Sequence, residues 1–350
     1  MKTFITRTLA FGFGVVAILL ALEVLIRFLP VIEGTYAADP RASWPVHTMI
    51  PNTHYTHSTG WNLQNVHRGR INNYGYASPQ DYRQGQGGVA VFGDSYVEGL
   101  MNEYRDTLPG VLHDYLADKQ DVMSFGMSGA EMPDYLGTAS LVSKEFSPQW
   151  AVFVITAGDF TNGFSAAPGY FEWDDSRSPP VRLVPELNRS AASKFMRTVG
   201  LVRYLRGNLL LRTQELVQLR RGAEHVAGTS GCRDEVLSKG DEALLEAFVA
   251  ELPKSLDLPP AHLILVFDAD RRSIYSKVSA RPCQTRAVLA NQRLAALAGE
   301  AGFRVIDAAP LFRRHFEHGE GPLDRSPIDA HWNPAAHRLI AREVAGLIEP

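Results

Sequence analysis

Hydrophobic and polar positions follow three regimes along the chain. The first is continuous. In "MKTFITRTLAFGFGVVAILLALEVLIRFLP", Lys2 and Arg7 precede an uncharged run from Thr8 to Leu22, and Glu23 and Arg27 sit in an apolar continuation that ends at Pro30. The second, residues 31 to 86, is rich in Pro, Asn, His, Gly and Tyr without a helical period, and predicts an extended linker leading into loops. In the third, short apolar runs alternate with helical patterns. Strands are predicted at 89–92, 121–125, 150–156, 262–267 and 303–307, with helices near 108–118, 132–145, 284–300 and 334–348. Such alternation predicts a parallel sheet with helices on both faces, an α/β domain over 87–350. A long helical insertion is expected over about 190–255.

A membrane span needs about 20 mostly apolar residues. Residues 1–30 supply them, and the reading is a signal anchor. The competing reading is a cleaved signal peptide, with small residues in "TYA" ahead of Ala38. Basic residues before the helix hold that end in the cytoplasm, which puts everything after Pro30 outside it. An oxidising compartment permits a disulfide between the only two cysteines, Cys232 and Cys283; the alternative is two buried thiols.

Composition changes little. The chain has 350 residues, 45% hydrophobic and 21% charged, which is globular rather than disordered. A net charge of −3 gives no reason to expect nucleic acid. One local surplus stands out: Lys194, Arg197, Arg203, Arg206, Arg212, Arg220 and Arg221 against a single Glu215. Interleaved with Leu, Val and Tyr, these residues fit either a membrane interface or a lid with a solvated basic face. His47, His54, His57 and His67 are scattered without metal-ligand spacing and read as loop histidines; no metal or cofactor is expected.

Parallel sheets place their sites in loops at the carboxyl ends of the strands. Three such loops are "GDSYVEG", "GMSGAE" and "TAGDFTN". Gly-Asp-Ser is also a common turn, so Ser95 alone is ambiguous. A hydroxyl becomes a nucleophile when a base takes its proton and a carboxylate orients that base. Asp329 and His331, two apart near the C-terminus, are the candidate pair, and His337 is a rival within the next helix. Ser128 in "GMSGA" is a second candidate nucleophile, on a sequence one residue short of a Gly-x-Ser-x-Gly elbow.

Taken in order, "FGDSYVEG", "FGMSGAE", "TAGDF" and "DAHWNPAAH" resemble the blocks of the SGNH (GDSL-type) hydrolase superfamily. "INNYGY" at 71–76 extends the likeness to membrane-anchored bacterial members, over about residues 70 to 350. The resemblance implies a flavodoxin-like three-layer α/β/α sandwich and metal-free ester hydrolysis, in a domain facing the periplasm from the inner membrane. It implies Ser95 as nucleophile, His331 as base and Asp329 as its orienting acid. The oxyanion would be held by the Ser95 and Gly129 amides and an Asn side chain. Here the chain departs from the pattern, because Gly158 stands where that Asn is expected. Asn162 is nearby in sequence. Loss of one donor costs about 10² to 10³ in turnover.

The leading expectation is an envelope serine esterase acting on an O-acylated glycan or lipid, with acetyl as the expected acyl group. A polysaccharide O-acetyltransferase working beside envelope polysaccharide machinery would use the same triad. A non-catalytic glycan-binding component that kept Ser95 and His331 is the reading from another class, and Gly158 favours it.

Overall fold

The structure is a computed structural model that describes residues 2–39, 41, 44–116, 119–185, 190–209, 234–275, 284–327 and 329–348. Cys232, Cys283, Arg212, Glu215, Arg220 and Arg221 lie outside the described residues. The chain forms two compact units.

The smaller unit comprises Met1–Tyr36, His54–Arg68 and Asn188–Ser230. Its first helix, Lys2–Ile26, is long and apolar enough to cross a membrane, with a mean hydropathy of 2.6 in an 18-residue window within Thr3–Ile26. At 1.5 Å per residue it reaches about 37 Å against a hydrocarbon core of about 30 Å. Glu23, the acidic residue inside the apolar run, is paired: its carboxylate accepts the Gly200 and Leu201 amides, each at 2.9 Å, at the start of the short helix Gly200–Arg203. Strands β1 (His54–Thr59) and β2 (Gln64–Arg70) form a hairpin. Asn208 fastens it, donating to Ser58 Oγ at 2.8 Å while accepting from the Ile32 amide.

The larger unit carries a five-stranded parallel sheet of β3 (Val89–Gly93), β4 (Val122–Gly126), β5 (Trp150–Ile155), β8 (Leu263–Phe267) and β9 (Arg304–Asp307), in the order β4-β3-β5-β8-β9. Numbered within the sheet this is 2-1-3-4-5, the flavodoxin-like doubly wound order. All five predicted strands are present to within a residue at most ends. The first four are buried throughout, as continuous apolar runs in a two-sided sheet should be. On one face Val89, Val91, Val152 and Ile264 meet Leu108 and Leu112 of helix Leu108–Leu116 and Ile340 and Val344 of helix Pro334–Ile348. On the other, Phe92 stacks on Phe153 at 4.7 Å and on Phe125 at 5.4 Å. Smaller antiparallel pairs are β6 (Phe171–Trp173) with β7 (Val181–Leu183), and β10 (Asp324–Ser326) with β11 (Asp329–Trp332).

Two expectations need correction. Residues 31–86 are not simply linker and loops. Besides the β1–β2 hairpin, Trp44, Tyr76 and Tyr82 are buried in the larger unit, where Trp44 and Tyr82 meet Phe146 and Tyr76 and Tyr82 meet Phe125. Aromatic anchors without a period escape a pattern reading. The helical insertion also ends earlier than 255. Helix Lys239–Leu256 belongs to the sheet domain, as the crossover between β5 and β8, with Leu245, Phe248 and Leu252 fully buried. A reciprocal capping box between Ser238 and Asp241 starts it.

Candidate active site

β3 stops at Gly93, and the Asp94 carboxylate accepts the Tyr96 amide at 2.8 Å, turning the chain into the single helical turn Ser95–Glu98. This turn lies on the end of β4. A Cβ added to Gly126 would come within 2.2 Å of the Glu98 nitrogen, so the Gly of the second block is there for close approach.

Ser95 Oγ is 2.8 Å from His331 Nε2, and His331 Nδ1 is 2.6 Å from Asp329 Oδ1. Asp329 Oδ1 also accepts the His331 amide at 3.1 Å, which fixes the carboxylate. An Nδ1–H donated to Asp329 leaves the Nε2 lone pair facing the Ser95 hydroxyl, as a general base requires. His331 and Asp329 are half-buried. The structure thus brings together Ser95, His331 and Asp329, from opposite ends of the larger unit's sequence.

The pair stands on β11, and Arg271 holds that strand. Its guanidinium ion-pairs with Asp268, donates to Asp324 of β10 at 2.5 Å and to Tyr96 Oη at 3.1 Å, and bonds the Ala330 carbonyl between Asp329 and His331. Trp332 Nε1 donates to the same Asp268 at 2.7 Å. Sequence reading missed Arg271; its only signal is a charged residue just past the carboxyl end of β8.

His337 is placed elsewhere. It is fully buried, Nδ1 accepts the Leu108 amide at 3.0 Å, and burial pushes its pKa down to about 3, so it stays neutral. Ser128 Oγ donates to the buried Glu98 carboxylate rather than to a histidine. Gly129, next in the chain, has φ +82°, a left-handed conformation that favours glycine, and Tyr170 Oη donates to the Ser128 carbonyl at 2.7 Å. Glu98 and Tyr170 therefore grip the Gly129 loop from two sides.

On the third loop Gly158 is helical, with φ −90°. Asp159 is buried, bonded by the Thr156 amide at 3.0 Å and Tyr135 Oη at 2.9 Å. Asn162 Nδ2 donates to Glu131 Oε1 at 3.1 Å. Burial is the main cause raising the carboxyls here: Glu98, Glu131 and Asp134 to about 7, with Asp94 and Asp159 raised further by neighbouring carboxylates. Among the described residues, no group of three or more His, Cys, Asp or Glu side chains is disposed to hold a metal ion.

Neither a family model nor a curated protein matches this sequence. Among solved structures the chain is similar to a member of the lipolytic protein G-D-S-L family from Veillonella parvula, at 11% identity and a TM-score of 0.38, covering 74% of this chain and 96% of that one. It is similar to TesA at 14% identity and a TM-score of 0.39, over 75% and 98% of the two chains. A third likeness is to Axe2, an acetylxylan esterase from Geobacillus stearothermophilus, at 14% identity and a TM-score of 0.39, over 77% and 97%. At these values the chemistry of the site rests on its own geometry.

Proposed function

We propose that this chain is a serine esterase of SGNH type that hydrolyses an O-acyl ester, with acetyl esters on an envelope glycan or lipid as the substrate class, and that it works outside the cytoplasm from an N-terminal anchor. One observation carries the reading: Ser95 Oγ, His331 and Asp329 form a continuous hydrogen-bonded chain of 2.8 and 2.6 Å at the carboxyl edge of a parallel sheet. Lys2 and Arg7 in the N-terminal turns of the apolar helix, ahead of its uncharged run, support the orientation.

Ser95 Oγ attacks the ester carbonyl as His331 Nε2 takes its proton. The amides of Ser95 and Gly129 receive the oxyanion. Collapse of the tetrahedral intermediate expels the alcohol, which takes the proton from His331, and leaves an acyl-Ser95. A water deprotonated by His331 then attacks the acyl carbon, releasing the carboxylic acid and restoring the Ser95 hydroxyl. Asp329 stabilises the imidazolium in both halves.

The test is fluorophosphonate labelling of the full chain, with Ser95→Ala and Ser128→Ala beside it and the modified residue read by mass spectrometry. Labelling lost only in Ser95→Ala is expected. Loss only in Ser128→Ala would overturn the triad, and no labelling in any of them would favour the binding-module reading.

A further inference from the structure

The mechanism above leaves the third loop without a donor, since Gly158 has no side chain. We infer that the side-chain amide of Asn162 is the third oxyanion donor, reaching from the end of its helical turn into the space that a side chain at position 158 would fill. This rests on the esterase reading and adds a residue to its site.

A Cβ built on Gly158 would stand 2.6 Å from Asn162 Nδ2 and 3.5 Å from Asn162 Cγ, so the amide is laid directly against the Gly158 backbone. The turn Asp159–Asn162 holds it there: the Asn162 amide donates to the Gly158 carbonyl at 2.9 Å and Thr161 Oγ1 donates to the same oxygen at 3.2 Å. Any side chain at 158 would displace it. The absent side chain is therefore the condition for Asn162 to occupy this place.

The sheet order says what the amide spans. β3 lies between β4 and β5, Glu131 belongs to the loop after β4, and Asn162 to the loop after β5. The Asn162–Glu131 bond accordingly bridges the carboxyl end of β3, where Asp94 and Ser95 emerge. Glu131 is two residues beyond Gly129, and Asp94 is close enough to add to the rise in its proton affinity that burial causes. A primary amide nitrogen carries two hydrogens. One goes to Glu131 and fixes the rotamer; the second is the one assigned to the oxyanion. Glu131 is then a positioning residue.

The test measures kcat and KM of the purified full chain on p-nitrophenyl acetate. Asn162→Ala should lower kcat about 10² to 10³-fold, the effect of removing one oxyanion donor, with KM little changed. Gly158→Asn alone should gain nothing, because its Cβ meets the Asn162 amide. In the Asn162→Ala background the same substitution has room and should return most of the lost kcat. A tether that only joins two loops would not be rescued in this way, so a loss without rescue overturns the donor role. Wild-type kcat in Asn162→Ala, with Ser95→Ala inactive, overturns it as well and leaves the esterase reading standing. Activity surviving Ser95→Ala would remove the esterase reading and this assignment together. Should Asn162→Ala fail to fold, Asn162→Asp keeps the side-chain size, replaces the donor with an acceptor and should show the same loss.

Discussion

Asp329 is two residues before His331, and that spacing works because both lie on an extended strand. Successive side chains on a strand point to opposite faces, so residues two apart share one. The carboxylate meets Nδ1 and the His331 amide together, which holds a single tautomer. Asp329→Asn keeps the size but turns an amide towards the ring and favours the tautomer whose Nε2 carries the hydrogen. A fall in kcat of about 10⁴ with KM nearly unchanged is expected, as for the corresponding change in a serine protease triad. A loss below tenfold would mean that Asp329 does not orient the base. The two histidines of "DAHWNPAAH" separate for a physical reason. His331 is half-exposed and faces a hydroxyl, whereas His337 is sealed in the core as an acceptor for a helix amide.

The β10–β11 hairpin is short, and both its strands are bonded by Arg271, whose side chain is 4% exposed. The guanidinium joins three elements: Asp268 after β8, Asp324 on β10 and the Ala330 carbonyl on β11. Removing one partner of a buried ion pair costs about 3 to 5 kcal/mol, because charges are left unpaired. Arg271→Met should lose stability on that scale in urea unfolding, and kcat should fall as β11 loses its register. Arg271→Lys keeps the charge yet has no planar fork to meet three acceptors, so only part of both losses should return. Arg271→Met unfolding at the wild-type urea midpoint would remove Arg271 from this role.

Across the larger unit, buried carboxyls accumulate near the carboxyl ends of the sheet strands. Burial raises Glu98, Glu131 and Asp134 to about 7, above the values they take when unfolded. The folded state thus binds these protons more tightly than the unfolded state. Their contribution to stability is full below the unfolded values and is lost as pH rises through about 7. The melting temperature should fall between about pH 5 and pH 8, and Glu98→Gln, which cannot ionise, should reduce that fall. A melting temperature that rises across the same interval would show that these groups are ionised in the folded protein at little cost.

Much of this molecule was legible because the relevant physics is local. A run of 24 mostly apolar residues declares a helix fit for a membrane whatever surrounds it. Apolar runs such as "WAVFVI" declare buried strands, and their alternation with helices limits the sheet to parallel order. Ser95, Asp329 and His331 were reachable because carboxyl-end loops of such a sheet must converge, although 236 residues separate Ser95 from His331. Position 158 was legible as a departure from a pattern, while its consequence was not. That Asn162 fills the space depends on how one helical turn folds back on its own first residue. Arg271, the Glu98 grip on Ser128, and the burial of Trp44, Tyr76 and Tyr82 likewise depend on neighbours distant in sequence. Sequence alone determined an apolar helix long enough to cross a membrane, the strands, and Ser95, Asp329 and His331 as the candidate trio, since these follow from hydrophobicity, period and residue chemistry. The tertiary structure alone decided which charges are buried together and which side chain occupies an empty position, because both are properties of enclosed space.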